Sequence, residues 1–214
     1  KFPSTTDDHD VGAWERIAHV LAQGAGIAVA TNRAQRLASK HHTFLVRRFD
    51  RAAGGRRIHF ASAMTLLDRR DGDDSASYLD LAQVIIQHGA RPNIDLEQLW
   101  RRIVFFVAIS NVDDHLRNHG FVLDERGWTL APAYDMNPVP AGNGLVLNIS
   151  ETDNAQDLAL LREVAPSFRV KPKRADTVID EVLAAVRSWR AEAKKLGLSS
   201  VEQDQMSAAF RLAV

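Results

Sequence analysis

Leu96, Leu99, Trp100, Ile103, Phe106 and Val107 recur at helical spacing, and no other feature of the sequence restricts the fold more. An apolar stripe this broad cannot be left in water, so the chain must build a core around this helix. Asp95 is placed to cap it, with Gln98 three residues on, and the helix is expected to end near Ser110. The longest apolar run, Ile103 to Ile109, falls well short of the ~18 residues a membrane span requires.

The rest of the chain has the material for such a core. Of 214 residues, 45% are apolar and 25% charged, the balance of a folded globular protein. This length suits one large domain or two small lobes sharing a cleft. Lys and Arg together number 27, as do Asp and Glu, so net charge gives no reason to bind nucleic acid or an acidic membrane. Two local basic clusters stand out: Arg47, Arg48, Arg51, Arg56 and Arg57, and Lys171, Lys173 and Arg174. Each is read either as a solvated face or as a phosphate contact. The absence of cysteine excludes a disulfide scaffold, a zinc–thiolate site and a thiol nucleophile, and fits a cytoplasmic location. The chain opens at Lys1-Phe2-Pro3 with no initiator Met and no signal-peptide pattern, so a piece of a longer protein is expected.

Strands are expected early and helices late. Asp7 to Asp10 offer caps for a helix from about Val11, with Trp14, Ile17, Ala18 and Leu21 on its apolar face and Gly24 and Gly26 ending it. Ile27 to Ala30 and Thr43 to Phe49 read as short strands, with Arg57 to Phe60 pairing back as a third after Gly54-Gly55. Asp71 to Ser75 reads as a polar loop and Tyr78 to His88 as a helix. Phe121 to Leu123 and Trp128 to Leu130 form a hairpin, Pro138 to Gly144 a loop, and Val178 to Trp189 a long amphipathic helix. Ser199 and Glu202 form a capping box for a last helix. The fold class is therefore α+β and mostly α, a small strand-bearing end followed by a larger helical end.

Directly after the buried helix, Asn111-Val112-Asp113-Asp114-His115-Leu116-Arg117-Asn118 holds six polar residues in eight. As a surface loop it would need no further explanation, but a polar loop fixed between a helix and a hairpin is also a rigid place to hang reactive side chains. Asp113 and Asn118 stand five apart, the D-x-x-x-x-N relation of a kinase catalytic loop: the carboxylate orients a hydroxyl nucleophile and the amide oxygen is a hard ligand for magnesium. Asp135 follows 22 residues after Asp113, beyond the hairpin, where kinases carry a second magnesium ligand; it could equally cap the turn before Pro138. Lys1 precedes the first helix, which carries Glu15, and a lysine contacting nucleotide phosphates pairs with such a glutamate. Glu15 sits at the edge of the apolar face and points either into a cleft or to solvent. Asp114 either helps to position Asp113 or faces water.

Four strings together resemble the C-terminal region of HipA-type serine/threonine kinases, the toxins of bacterial toxin–antitoxin pairs. They are Lys1-Phe2-Pro3, Arg48-Phe49-Asp50-Arg51, Ser110-Asn111-x-Asp113-Asp114-His115-x-x-Asn118 and Leu130-Ala131-Pro132-Ala133-Tyr134-Asp135. The resemblance implies a protein-kinase-like fold, with residues 1–60 as a partial strand-bearing lobe and residues 61–214 as the helical lobe carrying the catalytic loop and the metal-binding segment. It implies ATP and Mg2+ as cofactors, Asp113 as catalytic base, Asn118 and Asp135 as metal ligands, and Lys1, Glu15, Phe49, His115 and Tyr134 around the nucleotide. Arg47 stands where the family often has a Glu. The family's phosphate loop lies upstream of the lysine, and Gly24-x-Gly26 reads as a helix stop. A protein substrate and a DNA-binding antitoxin partner are implied, with no direct nucleic-acid contact and no membrane.

Two other readings stand beside this one. Asp113, Asp114, His115, His119 and Asp135 include enough ligands for a metal-dependent hydrolase, with His41-His42 expected on the surface. A non-catalytic docking module for an antitoxin would use the late helices, where Trp189, either core or contact, and the cluster of Lys171, Lys173 and Arg174 sit.

Overall fold

The computed structural model describes residues 1–70, 72 and 75–213. The polar loop expected from Asp71 to Ser75 therefore lies, at residues 71, 73 and 74, outside the described residues.

Helix α1, Val11–Gly24, starts where Asp10 accepts a hydrogen bond from the Ala13 amide, as the local sequence predicts. Two short strands follow, β1 (Asn32–Arg36) and β2 (His42–Val46), paired antiparallel from Asn32↔Val46 to Arg36↔His42. The strand expected at Ile27 to Ala30 reduces to one parallel bridge between Val29 and Ala133. The second ends at Val46, which puts Phe49 in the turn beyond it. There Arg48 and Arg51 both grip Asp50, so part of the first basic cluster is spent on a turn.

The third expected strand is shifted and pairs elsewhere. It is β3, Phe60–Ser62, and its partner is β4 (Gly120–Asp124), which pairs in turn with β5 (Gly127–Leu130) through a two-residue hairpin loop. A sheet partner sixty residues away leaves no local trace in the sequence. Short α2 (Ala63–Leu66) leads towards α3 (Tyr78–His88), whose capping box joins Ser77 and Asp80.

The apolar stripe becomes α4, Pro92–Ala108, the centre of the core. It begins three residues before the expected cap, with Pro at its first position, where a missing amide costs nothing. Asp95 is instead buried inside the first turn and accepts from the Leu130 amide at 3.2 Å, tying the helix to β5. Around α4 pack α3, α5 (Leu158–Val164) and α6 (Pro172–Val186). The chain closes through α7 (Trp189–Lys195), α8 (Ser200–Met206) and a 3-10 segment, Ser207–Ala213.

Trp189 opens α7 and does not extend α6; it stacks on Phe210 with ring centroids 4.4 Å apart and is buried. Ser199 caps α8, but the expected capping box closes on one side only. Glu202 turns away to accept from the Asp10 amide and the Trp14 indole, both at 3.0 Å, pinning the C-terminal helices to the start of α1. In the second basic cluster Arg174 is engaged by Glu97 (2.7 Å) and Glu181 (3.1 Å). Among the described residues no helix is long and apolar enough to cross a membrane.

Candidate active site

Helix α1 lies hard against β2. A Cβ at position 12 would stand 2.1 Å from the His42 carbonyl oxygen, so only glycine permits this approach. Asp10 locks the same junction, accepting from the His42 amide at 2.8 Å and from His42 Nδ1 at 2.6 Å. His42, expected on the surface, is buried for this reason.

This packing directs Glu15 into a cleft and away from solvent: it is buried, and Lys1 Nζ lies 2.9 Å from its carboxylate. Burial raises the Glu15 pKa above the ordinary value and Lys1 only partly offsets it. Burial alone would lower Lys1, but Glu15 and Asp135 outweigh it and hold the ammonium charged. Lys1 Nζ also donates to Asp135 Oδ1. Three of the residues singled out from the sequence thus meet in one ion cluster.

The opposite wall is made by the polar loop and the segment after β5. Asn111 starts the loop and accepts from the Asn137 amide at 2.9 Å. The Tyr134 hydroxyl donates to the Arg117 carbonyl at 2.7 Å. Burial, and then the Asp114 carboxylate, push that hydroxyl well above its usual pKa, so it stays a donor. Beneath them Arg102 is fully buried and donates to the Ala131 carbonyl at 2.6 Å; burial brings its pKa down to about 10, leaving it cationic at neutral pH. Ser110 (φ 50°) and Asp135 (φ 56°) both adopt the left-handed region, costing about 1 kcal/mol or more each for non-glycine residues. Strain of this kind at both ends of a site persists only where the surroundings over-determine it.

Asp113 is exposed at the loop's crest. Asn118 is buried, and its amide nitrogen reaches the Asp113 carbonyl at 3.4 Å, which leaves the amide oxygen for another partner. Asp135 and Asn118 each adjoin one end of the Tyr134–Arg117 hydrogen bond. Asn137 donates towards Asp135 at 3.5 Å, and its own amide oxygen is buried without a hydrogen-bond partner. A carboxylate with amide oxygens nearby is a hard, oxygen-only donor set that fits magnesium. It does not fit a softer ion, and among the described residues no three His, Cys, Asp or Glu side chains come together as a metal cluster.

Beside this wall opens a cleft of about 400 Å³ lined by Ala30, Val46, Phe49, Phe60, Arg117 and Tyr134, with Arg47, Arg48 and Asp50 at its edge. Phe49 stands 5.7 Å from the Tyr134 ring and 5.8 Å from Phe60. Flat aromatic walls and few polar groups suit a planar, apolar-faced ligand. Phe49 and Tyr134, both singled out from the sequence, line the same cleft. His115 does not line this cleft; its Nε2 lies 3.1 Å from Arg117, and its Nδ1 is buried without a hydrogen-bond partner. Phe60 was not foreseen, because it was assigned to a strand against β2.

The family model described as the HipA-like C-terminal domain matches residues 1–190. A kinase-named relative from Haemophilus influenzae is 30% identical over 113 residues, covering 47% of this chain and 33% of its own. The kinase-named Y4mE of Sinorhizobium fredii is 28% identical over 145 residues, covering 64% and 33%. The chain spans about a third of the length of these curated relatives. A chain of the Shewanella oneidensis toxin–antitoxin complex of HipA, HipB and operator DNA superposes with a TM-score of 0.77 at 17% identity, over 97% of this chain and 55% of that one. The Helicobacter pylori proinflammatory kinase CtkA gives 0.56 at 11% identity, over 97% and 90%. The fold is thus α+β and kinase-like, as the sequence predicts, and the chain belongs to the HipA-like C-terminal domain family.

Proposed function

We propose that this chain carries the nucleotide cleft and catalytic loop of an ATP- and magnesium-dependent protein serine/threonine kinase of the HipA type. The observation that carries the reading is the Lys1–Glu15–Asp135 cluster, whose Asp135 follows Tyr134, the residue that ties the loop of Asp113 and Asn118 to the aromatic cleft. In this reading residues 1–60 are part of the small lobe and residues 61–214 the helical lobe.

The adenine lies between Phe49, Phe60 and Tyr134. Lys1, held by Glu15, reaches the phosphates. Asn118 and Asp135 hold magnesium, which when bound offsets phosphate charge. Asp113 accepts a hydrogen bond from the substrate hydroxyl and aims its oxygen at the γ-phosphorus, taking the proton as the new P–O bond forms and the bond from the γ-phosphorus to the β,γ-bridging oxygen breaks, releasing ADP. Lys1 exchanges its contact with Asp135 for a phosphate oxygen while keeping Glu15. The substrate is a Ser or Thr hydroxyl of another protein, and the setting is cytoplasmic.

The Shewanella chain solved in complex with HipB and operator DNA supports an antitoxin protein as partner. The hydrolase reading loses two of its five candidate ligands, because Asp114 and His119 are buried against each other 2.7 Å apart, and among the described residues no metal-ligand cluster forms. Against the docking-module reading, Trp189 is buried and Arg174 is paired, while Lys171 and Lys173 stay exposed.

The test is transfer of labelled phosphate from ATP and magnesium by the full-length protein, beside Asp113→Asn and Asp135→Ala. A labelled protein band that falls at least about a hundredfold in both variants is expected. Transfer that survives both would overturn the role assignments. Absence of transfer from a folded, nucleotide-binding wild type, with substrate and partner supplied, would overturn the kinase reading.

A further inference from the structure

Among the described residues, three ionisable side chains with no solvent exposure meet directly under the polar loop: Tyr78, Asp114 and His119. A single carboxylate oxygen, Asp114 Oδ2, accepts from the Tyr78 hydroxyl at 2.6 Å and from His119 Nε2 at 2.7 Å. The His119 ring is itself wedged, edge-on to Tyr78 (5.6 Å, 83°) and to Phe106 of α4 (6.0 Å, 69°). Tyr78 is held at the first position of α3, where its amide donates to the Asn148 carbonyl at 2.9 Å.

Burying a carboxylate among aromatic rings is unfavourable, and packing alone would be served as well by an apolar residue. What the carboxylate adds is direction. Two short hydrogen bonds from different elements fix one point of the loop in three dimensions. That point is the residue next to Asp113. From Val112 to His115 the loop has one fully inward side chain, Asp114, and one exposed side chain, Asp113. Val112 and Asp113 form a turn that runs directly into the buried Asp114, so clamping Asp114 inward fixes where that turn, and the exposed Asp113 on it, emerges. The contact from Asn118 to the Asp113 carbonyl, at 3.4 Å, is too long to hold that residue by itself.

We propose that Asp114 is a positioning residue: clamped by Tyr78 and His119, it presents Asp113 to the cleft. The consequence for phosphoryl transfer rests on the kinase reading; the clamp itself does not.

The experiment uses the full-length protein as wild type, Asp114→Ala, Asp114→Asn and Tyr78→Phe. Hydrogen exchange is read by mass spectrometry and phosphoryl transfer by kinetics. In Asp114→Ala, amides in residues 111–118 exchange at least about tenfold faster while those of α4 do not change. Its kcat falls at least about thirtyfold with the ATP KM within about threefold, because a misaimed base costs rate and not nucleotide binding. Asp114→Asn, which keeps an oxygen to accept both donors, recovers most of kcat. Tyr78→Phe removes one donor without changing the packing and shifts both readouts part of the way. Loop exchange equal to wild type in Asp114→Ala overturns the proposal whatever the activity does. If Asp114→Ala loosens α4 as well, Tyr78→Phe decides, and no acceleration confined to 111–118 overturns it. Faster loop exchange with unchanged kcat removes the positioning role. Loss of all transfer from wild type, with the exchange pattern intact, discards the kinase reading and keeps the clamp.

Discussion

Lys1 Nζ lies 2.9 Å from Glu15 Oε2, joining a half-exposed lysine to a carboxylate that is only 2% exposed. Such a pair is a poor stabiliser. Desolvation of the acid is the largest influence on it and pushes its pKa up, and an isosteric neutral residue would relieve that cost. Its value is in aiming the ammonium. Glu15→Gln should therefore lower phosphoryl transfer about tenfold to a hundredfold while leaving the unfolding temperature unchanged or slightly higher. Thermal melts beside steady-state kinetics check this, and parallel loss of stability and activity would show a structural role instead.

His19, one turn along α1 from Glu15, gives the fold an acid limit. Burial, then Arg16 and Lys1, bring its pKa from 6.5 down to about 4. The unfolded chain binds this proton more readily than the folded one. Its contribution is therefore complete above pH 6.5 and is lost as pH falls towards 4, amounting to about 2–3 kcal/mol at pH 4.5. Urea unfolding at pH 7 and pH 4.5 should show wild type losing that much more than His19→Gln, which cannot titrate. Identical losses in the two proteins would remove His19 from the acid response.

The parts of this molecule legible in the sequence are those written locally. Asp10 capping α1, the helix Tyr78–His88 and the β4–β5 hairpin each follow from residues within a few positions of one another. Asp113, Asn118 and Asp135 were singled out by spacing, and Phe49 and Tyr134 by family likeness. What was not legible depended on distant partners. His42 is buried because Asp10 needs it. Glu202 leaves its own helix to serve Trp14. Phe60 reaches the cleft through a strand whose partner is β4. The inward turn of Asp114 was left open because two adjacent aspartates look alike until Tyr78 and His119 are known to lie beneath one of them.

Gly12 sets the distance between α1 and β2, and so the placement of Glu15. Gly12→Ala would force a methyl group to within 2.1 Å of a backbone oxygen, which no side-chain motion can relieve. A loss of about 2–3 kcal/mol is expected, larger than the helix-propensity gain of about 1 kcal/mol for Gly to Ala. Denaturant titration measures it. A neutral or stabilising result would mean that the helix can shift outward freely, and the Lys1–Glu15 alignment would then need another support.

Phe60 tests which part of the cleft holds the base. It is 38% exposed, so its removal should cost little stability. Its ring stands 5.8 Å from Phe49, which in turn faces Tyr134 at 5.7 Å, so a planar ligand entering there would touch all three. Losing one aromatic wall is worth about 1–1.5 kcal/mol, so Phe60→Ala should weaken ATP binding about tenfold. At saturating ATP the rate should be unchanged, since the cleft that Phe60 lines does not include Lys1, Asp113 or Asp135. Calorimetric titration with a non-hydrolysable ATP analogue reads the affinity. An unchanged dissociation constant would move the base out of this cleft, while a fall in saturated rate would mean that the β3 edge also shapes the catalytic loop through Gly120, where Phe60 packs most closely.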